Sequence, residues 1–268
     1  MNPGPLRMEK AMNIFDTHTH ISLEQFKEDR DDVIARMRAA GVARALVVVD
    51  STEDVPFAIA LCEAHDFLYL AAGVHPHNAS KNTPEAERIT RETAKHPKFV
   101  CLGEIGLDYH YDFSPRDVQK DVFARQIDLA YELKKPMQLH IREAHGDHIE
   151  MLRAAKAAGR LPEGIMHCYT GSWESAKIYL DLGMYLSLTG AVTFKNAPKL
   201  AEVAEKAPLE RLLVETDCPY MAPVPLRGRR NEPAFIVHTV AKIAELRGMK
   251  PEALAQATYE NANRAFRL

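Results

Sequence analysis

Side chains that bind metal ions recur in this chain directly after short apolar segments. The first such stretch is Asp16-Thr17-His18-Thr19-His20, which follows Ile14-Phe15. In an extended strand alternate side chains point to the same face, so His18 and His20 project together. Two imidazoles on one face at the end of a strand can bind one divalent cation with little rearrangement. A His-x-His pattern also occurs in ordinary polar loops, so the prediction depends on what the later segments carry.

Further residues of the same chemical type end the later apolar segments. Neutral imidazoles and carboxylates bind divalent metals, and a carboxylate placed between two ions can bridge them. Each residue has an ordinary alternative: Glu104 could pair with a lysine, and His140 could cap a strand. Because several coincidences at strand ends are improbable together, the pattern predicts a metal site. The six predicted ligands are His18, His20, Glu104, His140, His167 and Asp217.

The apolar segments themselves predict the fold that would position these ligands. There are eight, separated by roughly 20–40 residues, as repeated β-α units require. An open doubly wound sheet would need a glycine-rich phosphate turn after the first strand, and Asp16–His20 is not one. We therefore predict a single-domain (β/α)8 TIM barrel over residues 13–268, preceded by a flexible extension, residues 1–12. The predicted strands are Ile14-Phe15, Ala45–Val49, Phe67–Val74, Phe99–Leu102, Met137–Ile141, Gly164–Cys168, Met184–Leu188 and Leu212–Glu215.

Helix starts can also be predicted between these strands. Thr83, Ser114 and Ser172 each precede a segment with proline or an acidic residue in its first turn, which is typical of a hydroxyl that caps a helix. In a TIM barrel the carboxyl ends of all the strands meet at one mouth. The predicted ligands should therefore converge there from distant sequence positions.

Composition limits the classes of function. The 268 residues include 34 Lys+Arg and 37 Asp+Glu, a net charge of −3, so no general basic surface attracts nucleic acid or membrane. This does not exclude a nucleic-acid substrate whose phosphates are met by metal ions in one pocket. The four cysteines form no Cys-x-x-Cys pair, and no apolar stretch has the length of a membrane span or the character of a signal peptide. We expect a cytoplasmic enzyme without an obligate protein partner.

Six segments together resemble the signature blocks of the TatD deoxyribonuclease family, in order and spacing from residue 14 to about residue 266. The resemblance implies a TIM-barrel, metal-dependent phosphodiesterase that acts on DNA, as a 3′→5′ exonuclease preferring single strands. By position it implies that His18, His20 and Asp217 hold one divalent ion, His140 and His167 hold a second, and Glu104 bridges them. Mixed nitrogen and oxygen ligands are compatible with Mg²⁺, Mn²⁺, Zn²⁺ or Ni²⁺. The six segments are Asp16–His20, Gly73–His77, Gly103–Tyr109, Leu139–Arg142, His167–Gly171 and Glu215–Tyr220.

Catalytic roles follow from this interpretation. Asp217 is predicted to orient or deprotonate the attacking water, alongside Glu104 as the bridge. His75 is predicted to protonate the leaving oxygen, although it could also be a loop histidine. Glu215 and Asp16 are predicted to orient metal-bound histidines, since a buried carboxylate needs a partner.

Four residues are predicted to contact substrate. Arg142 could bind two phosphate oxygens or form a surface salt bridge with Glu143 or Asp147. The loop with Arg227, Arg229 and Arg230 is either a phosphate clamp or an ordinary solvated basic loop. The predicted substrate contacts are Arg142, His77, Tyr169 and Arg229, with Tyr169 stacking on a base.

Two other functions are compatible with the same predicted ligands. An amidohydrolase-type enzyme would hydrolyse a cyclic amide or ester at the same mouth, but such enzymes commonly bridge their metals with a modified lysine from the fourth strand, where this chain has Glu104. A metal-loaded nucleic-acid-binding protein without turnover is the second rival, and a complete ligand set argues against it.

Overall fold

The computed structural model describes residues 12–268, in which eight parallel strands follow one another in sequence order around a nearly closed barrel. This confirms the predicted (β/α)8 TIM barrel. The strands are β1 (Ile14–Thr19), β2 (Val42–Val49), β3 (Leu68–Ala72), β4 (Phe99–Asp108), β5 (Met137–Arg142), β6 (Gly164–Met166), β7 (Tyr185–Leu188) and β8 (Leu212–Val214). The α-helices of the described residues are α1 (Arg30–Ala39), α2 (Val55–Ala64), α3 (Pro84–Thr93), α4 (Arg116–Leu133), α5 (His145–Ala157), α6 (Trp173–Asp181), α7 (Pro198–Lys206), α8 (Ile236–Leu246) and α9 (Pro251–Phe266).

The first and last strands meet just where the predicted ligands lie. A single bridge joins Thr19 to Cys218, and the Cys218 carbonyl accepts the His20 N–H at 3.0 Å. The Asp217 N–H donates to the His18 carbonyl at 2.9 Å. These backbone bonds hold the end of β1 beside the segment that follows β8, so His20 and Asp217 are neighbours despite their separation in sequence.

Two apolar layers support the barrel. Alternate residues of β2 divide between them: Leu46 and Val48 join one cluster, while Ala45, Val47 and Val49 join the other. Since alternate residues of a strand face opposite sides, the first cluster fills the barrel interior and the second lies under the helices. The interior cluster is completed by the end of α9, which packs Phe266 on Phe15 at 5.4 Å between ring centroids and closes the end of the barrel opposite the mouth.

Two of the three predicted helix caps are confirmed. The hydroxyl of Thr83 accepts the Ala86 N–H and that of Ser172 accepts the Ser175 N–H. The prediction for Ser114 is wrong, because Pro115 occupies the cap position of α4. The Ser114 hydroxyl instead bonds the backbone of Ser80 and His77, so it fastens the loop after β3 to the loop after β4.

The predicted extension, residues 1–12, lies outside the described residues except for Met12. The Met12 side chain is buried against the barrel. Within residues 12–268, no helix combines the length and apolar character that crossing a bilayer requires.

Candidate metal centre

The strand ends open into a pocket of about 710 Å³ at the mouth of the barrel. His18 lies beneath this pocket with no exposed surface. The other five predicted ligands line it: His20, Glu104, His140, His167 and Asp217. The structure thus brings all six together at one place.

Glu104 lies at the centre of this arrangement, and its two carboxylate oxygens face different histidines. Oε2 is 3.3 Å from His18 Nε2 and 3.9 Å from His20 Nε2. Oε1 is 2.6 Å from His140 Nδ1 and 3.0 Å from His167 Nε2. On the Oε2 side of Glu104, Asp217 Oδ1 lies 3.6 Å from His20 Nε2.

The donor atoms fit a divalent metal. His18, His20 and Asp217 offer ligand atoms within 4.8 Å of one another. The ligand atoms of His75, Glu104 and His140 also lie within 4.8 Å of one another. His75 is therefore as close to Glu104 and His140 as a metal ligand would be. Buried imidazole nitrogens and carboxylate oxygens in such groups are the donor set of borderline divalent ions such as Zn²⁺ and Mn²⁺.

Mutual electrostatics set the charge of these groups. Burial opposes ionisation of Glu104, but His167, His75 and His18 lower its pKa well below the usual value. Burial likewise opposes a charged His20, yet Asp50 and Asp217 raise its pKa to about 9. Glu104 is therefore ionised at neutral pH and requires positive charge around it, from protonated histidines or from a cation.

The two predicted supporting carboxylates do different things. Glu215 Oε1 lies 3.1 Å from His167 Nδ1 and accepts the Cys168 N–H at 2.5 Å, so it contacts the ring of a candidate ligand. Asp16 contacts the backbone of His18 and not its ring: its Oδ1 accepts the His18 N–H at 3.4 Å. Its carboxylate accepts the backbone N–H and hydroxyl of Thr216 at 2.9 and 2.6 Å, which ties β1 to the β8 end. Burial raises the pKa of Asp16 to about 8.

His75 and His77 both line the pocket, and His77 has a partner that the sequence analysis missed. His75 Nδ1 accepts the His77 N–H at 3.2 Å, while His75 Nε2 is 3.4 Å from Glu104 Oε1. His77 Nε2 lies 2.9 Å from Asp108 Oδ2, which is also 3.1 Å from His140 Nε2. Asp108 was given no role because the fourth strand was predicted to end at Leu102, which left Asp108 in a loop, whereas β4 continues to Asp108. In a continuous strand Asp108 shares a face with Glu104, and that spacing was the available signal.

Two other contacts of the candidate histidine ligands were also missed. Asp50, at the end of β2, lies 3.9 Å from His20 Nδ1. Gln138 in β5 has its amide nitrogen 3.0 Å from His18 Nδ1. No local pattern marks Gln138, because it occupies an apolar strand and its partner is 120 residues away.

Among the predicted substrate contacts, Arg142 lines the pocket with its guanidinium 4.7 Å from the Tyr111 ring centroid. The alternative prediction, a salt bridge from Arg142 to Glu143 or Asp147, is absent from the ion pairs of residues 12–268. Glu143 pairs with His110 and Asp147 pairs with Lys120. The stacking role predicted for Tyr169 is wrong, since only 1% of it is exposed and its hydroxyl donates to the Ser172 carbonyl.

The basic loop does not line the pocket. Arg230 forms an ion pair with Asp29 at 2.6 Å, and the Arg227 guanidinium lies over the Phe194 ring at 3.8 Å. Arg229 is exposed outside the pocket lining. The phosphate clamp is therefore not formed in this structure, because two of its three arginines hold neighbouring segments.

Comparison with known proteins identifies the relationship. The family described as TatD related DNase matches residues 15–267. The chain belongs to this family. As the TatD resemblance implied, the match extends over nearly the whole barrel and includes every candidate ligand.

Relatives and solved structures of the TatD type agree with this. The metal-dependent hydrolase YabD of Bacillus subtilis is 45% identical over 257 residues, which cover 95% of this chain and 99% of YabD. The 3′-5′ ssDNA/RNA exonuclease TatD of a Rahnella species is 37% identical, covering 95% of this chain and 98% of that protein. The crystal structure of YjjV, a TatD homologue from Escherichia coli, superposes with a TM-score of 0.89 at 28% identity and covers 97% and 100% of the two chains. The protein is a metal-dependent hydrolase of the TatD family.

Proposed function

We propose that this protein is a two-metal phosphodiesterase that removes nucleotides from the 3′ end of single-stranded nucleic acid. The observation that supports this most directly is the position of Glu104, whose two oxygens face two separate sets of histidines. A carboxylate placed in this way can bridge two cations. Relatives 36–37% identical over 94% or more of the chain are named 3′-5′ ssDNA/RNA exonucleases, which supports the substrate class and the direction.

The side chains of the chain divide the chemistry between them. Two bound divalent ions would supply an activated water and neutralise charge on the phosphoryl group. Asp217 lies at the edge of the pocket, where His20 and His167 help to lower its pKa against the effect of burial, so it is ionised and able to take a proton from the attacking water. Because His75 Nδ1 accepts a backbone N–H, the neutral ring carries its proton on Nε2, which faces the centre and can donate a hydrogen bond to the leaving oxygen, which then takes its proton from water.

Arg142 would bind a phosphate group of the substrate. Among the described residues that line the pocket it is the one Lys or Arg. The amidohydrolase alternative has less support, since no lysine lines this pocket within residues 12–268 and β4 contributes Glu104.

The first test is metal-dependent hydrolysis of end-labelled single-stranded and double-stranded DNA and RNA, followed on gels. We expect stepwise shortening of the single strands from the 3′ end, loss of activity with chelator, and recovery with added Mg²⁺ or Mn²⁺. Hydrolysis of a dihydropyrimidine or a lactone, without nucleotide release from either polymer, would refute the proposal.

The second test concerns Asp217. Asp217→Asn keeps the side-chain shape but removes the base, so kcat should fall at least a hundredfold while the strand still binds. Asp31→Asn, an exposed change on α1, is the matched control and should leave kcat unchanged. Full activity of Asp217→Asn would exclude the proton-accepting role.

A further inference from the structure

Three exposed aromatic side chains at the mouth have no part in the metal centre. Tyr111, Phe113 and Tyr220 all line the pocket and are 47%, 67% and 52% exposed. Of the other aromatic side chains in residues 12–268, only Phe57 and Tyr131 reach a comparable exposure. Single exposed apolar residues are common on protein surfaces, but several that share one concave surface indicate a binding site.

Two of these rings form a fixed pair, which we call the aromatic shelf (Tyr111 and Phe113). Their centroids are 5.2 Å apart and their planes are 13° from parallel. His77 supports both rings edge-on, at 5.4 and 4.8 Å. The loop beneath them is held by Asp108 Oδ1, which accepts the N–H groups of His110 and Tyr111 at 3.0 Å each. The shelf is thus organised before any ligand arrives.

Tyr220 lies on the other side of Glu104. Tyr220 follows β8, whereas the shelf follows β4, so the two are four strands apart in an eight-stranded barrel. The Tyr220 ring is edge-on to His20, with centroids 6.2 Å apart. Its backbone is fixed on both sides, since its N–H donates to the Asp217 carbonyl and its own carbonyl accepts the Asn231 amide. Aromatic surface therefore flanks the candidate metal centre on two opposite sides.

We propose that the aromatic shelf and Tyr220 stack on nucleobases of an unpaired strand end, one on each side of the phosphate to be cleaved. The proposal rests on the proposed nucleic-acid hydrolase function and assigns its preference for single strands to these three residues. Every base has a π face, so stacking tolerates any sequence, whereas bases inside a duplex have both faces covered.

Stacking would add to the contacts that bound metal ions and Arg142 make with phosphate. With a net charge of −3 and Arg142 as the one Lys or Arg among the described pocket-lining residues, arginine and lysine side chains by themselves attract a polyanion only weakly. Alanine replacement of an aromatic residue that stacks on a base typically weakens binding about tenfold or more. Stacking at two places can therefore provide affinity that the surface charge does not.

The test compares two strands of equal length, one with natural bases and one whose three 3′-terminal residues carry tetrahydrofuran in place of base. The proteins, loaded with Mn²⁺, are wild type, the double variant Tyr111→Ala/Phe113→Ala, Tyr220→Ala, and the conservative variant Tyr111→Phe. Tyr131→Ala is the matched control, because this tyrosine is 48% exposed on α4 outside the pocket. Dissociation constants are measured by fluorescence anisotropy with phosphorothioate linkages, and KM and kcat with natural linkages.

Wild type should bind the natural strand at least tenfold more tightly than the baseless strand, and the double variant and Tyr220→Ala should each remove a large part of that difference. KM for the natural strand should rise about tenfold or more in the double variant and in Tyr220→Ala, while Tyr131→Ala keeps the wild-type value. Tyr111→Phe, which retains the ring, should stay closer to wild type than the double variant. Equal weakening for both strands, or none, would overturn the stacking role. Failure of wild type to hydrolyse either strand would instead refute the hydrolase function, and the anisotropy comparison would still decide whether the rings bind bases.

Discussion

Glu104 is the side chain on which the candidate centre depends most, because each of its oxygens contacts a different set of histidines. Glu104→Ala should remove a ligand from both ions and leave the mutual repulsion of the two cations uncompensated. We expect it to retain less metal than His20→Ala, measured by elemental analysis after gel filtration, and to lose nearly all activity. Full metal occupancy in Glu104→Ala would contradict a bridging role.

His148 gives a pH prediction away from the centre. It is fully buried, stacks on Phe123 at 5.0 Å, and neither ring nitrogen has a hydrogen-bond partner among the described residues. Burial lowers its pKa to about 3, whereas the unfolded chain retains the ordinary value of about 6.5. Between these values the unfolded state binds more protons, so the stabilisation present above pH 6.5 is lost as pH falls.

The measurement is the free energy of unfolding against pH for wild type and His148→Phe. The variant cannot take up this proton, so its stability should fall less steeply below pH 6.5, by at most about 1.4 kcal/mol per pH unit. Parallel curves for the two proteins would show that His148 does not contribute.

The contact between β4 and β5 holds Glu104 and His140 in register, and Gly106 makes that contact possible. Gly106 has φ of +145°, and a Cβ at this position would collide with the His140 carbonyl oxygen. Gly106→Ala should therefore push β5 away from β4, destabilise the protein by about 2–4 kcal/mol and reduce metal retention.

The chain offers a matched control for this change. Gly146 lies in α5 with open space around its Cα, so Gly146→Ala should be neutral or stabilise by up to about 1 kcal/mol. Urea unfolding of both variants provides the comparison. Equal stability of the two would show that β4 and β5 can separate without cost.

The distribution of charge over the whole molecule predicts a weak dependence of nucleic-acid binding on salt. The one arginine in the described pocket lining should contribute about 0.7 to the slope of log Kd against log salt concentration, beside the contribution of bound metal ions. At a fixed metal concentration, Arg142→Ala should lower the slope by about that amount.

Arg230→Ala should leave the slope unchanged and lower the Tm instead, since Arg230 pairs with Asp29 and lies over the Phe26 ring at 4.6 Å. Kd measured between 50 and 300 mM salt, with thermal melting of each variant, tests both expectations. A steep slope that Arg230→Ala removes would restore the phosphate clamp that the structure argues against.

The barrel and the candidate ligands were accessible from the amino-acid sequence alone. Eight apolar segments at regular intervals predicted eight strands, and the ligand types at their ends predicted one shared mouth, because the carboxyl ends of barrel strands meet. His18, Glu104 and Asp217 required no more than their strand and their chemistry to be singled out. The helix caps at Thr83 and Ser172 could also be predicted from local sequence, because a helix cap depends on residues a few positions apart.

Other features were decided only when distant segments came together. Asp108 contacts His77 and His140 because β4 continues to this residue. Arg230 forms its ion pair with Asp29, which is 201 residues away in the sequence. Tyr169 was buried although its sequence neighbours line the pocket, and Tyr111 became exposed because its loop is held by Asp108. Periodicity determines which face of a regular strand a residue occupies, whereas the direction of a loop side chain depends on partners that are distant in sequence and is settled only by packing.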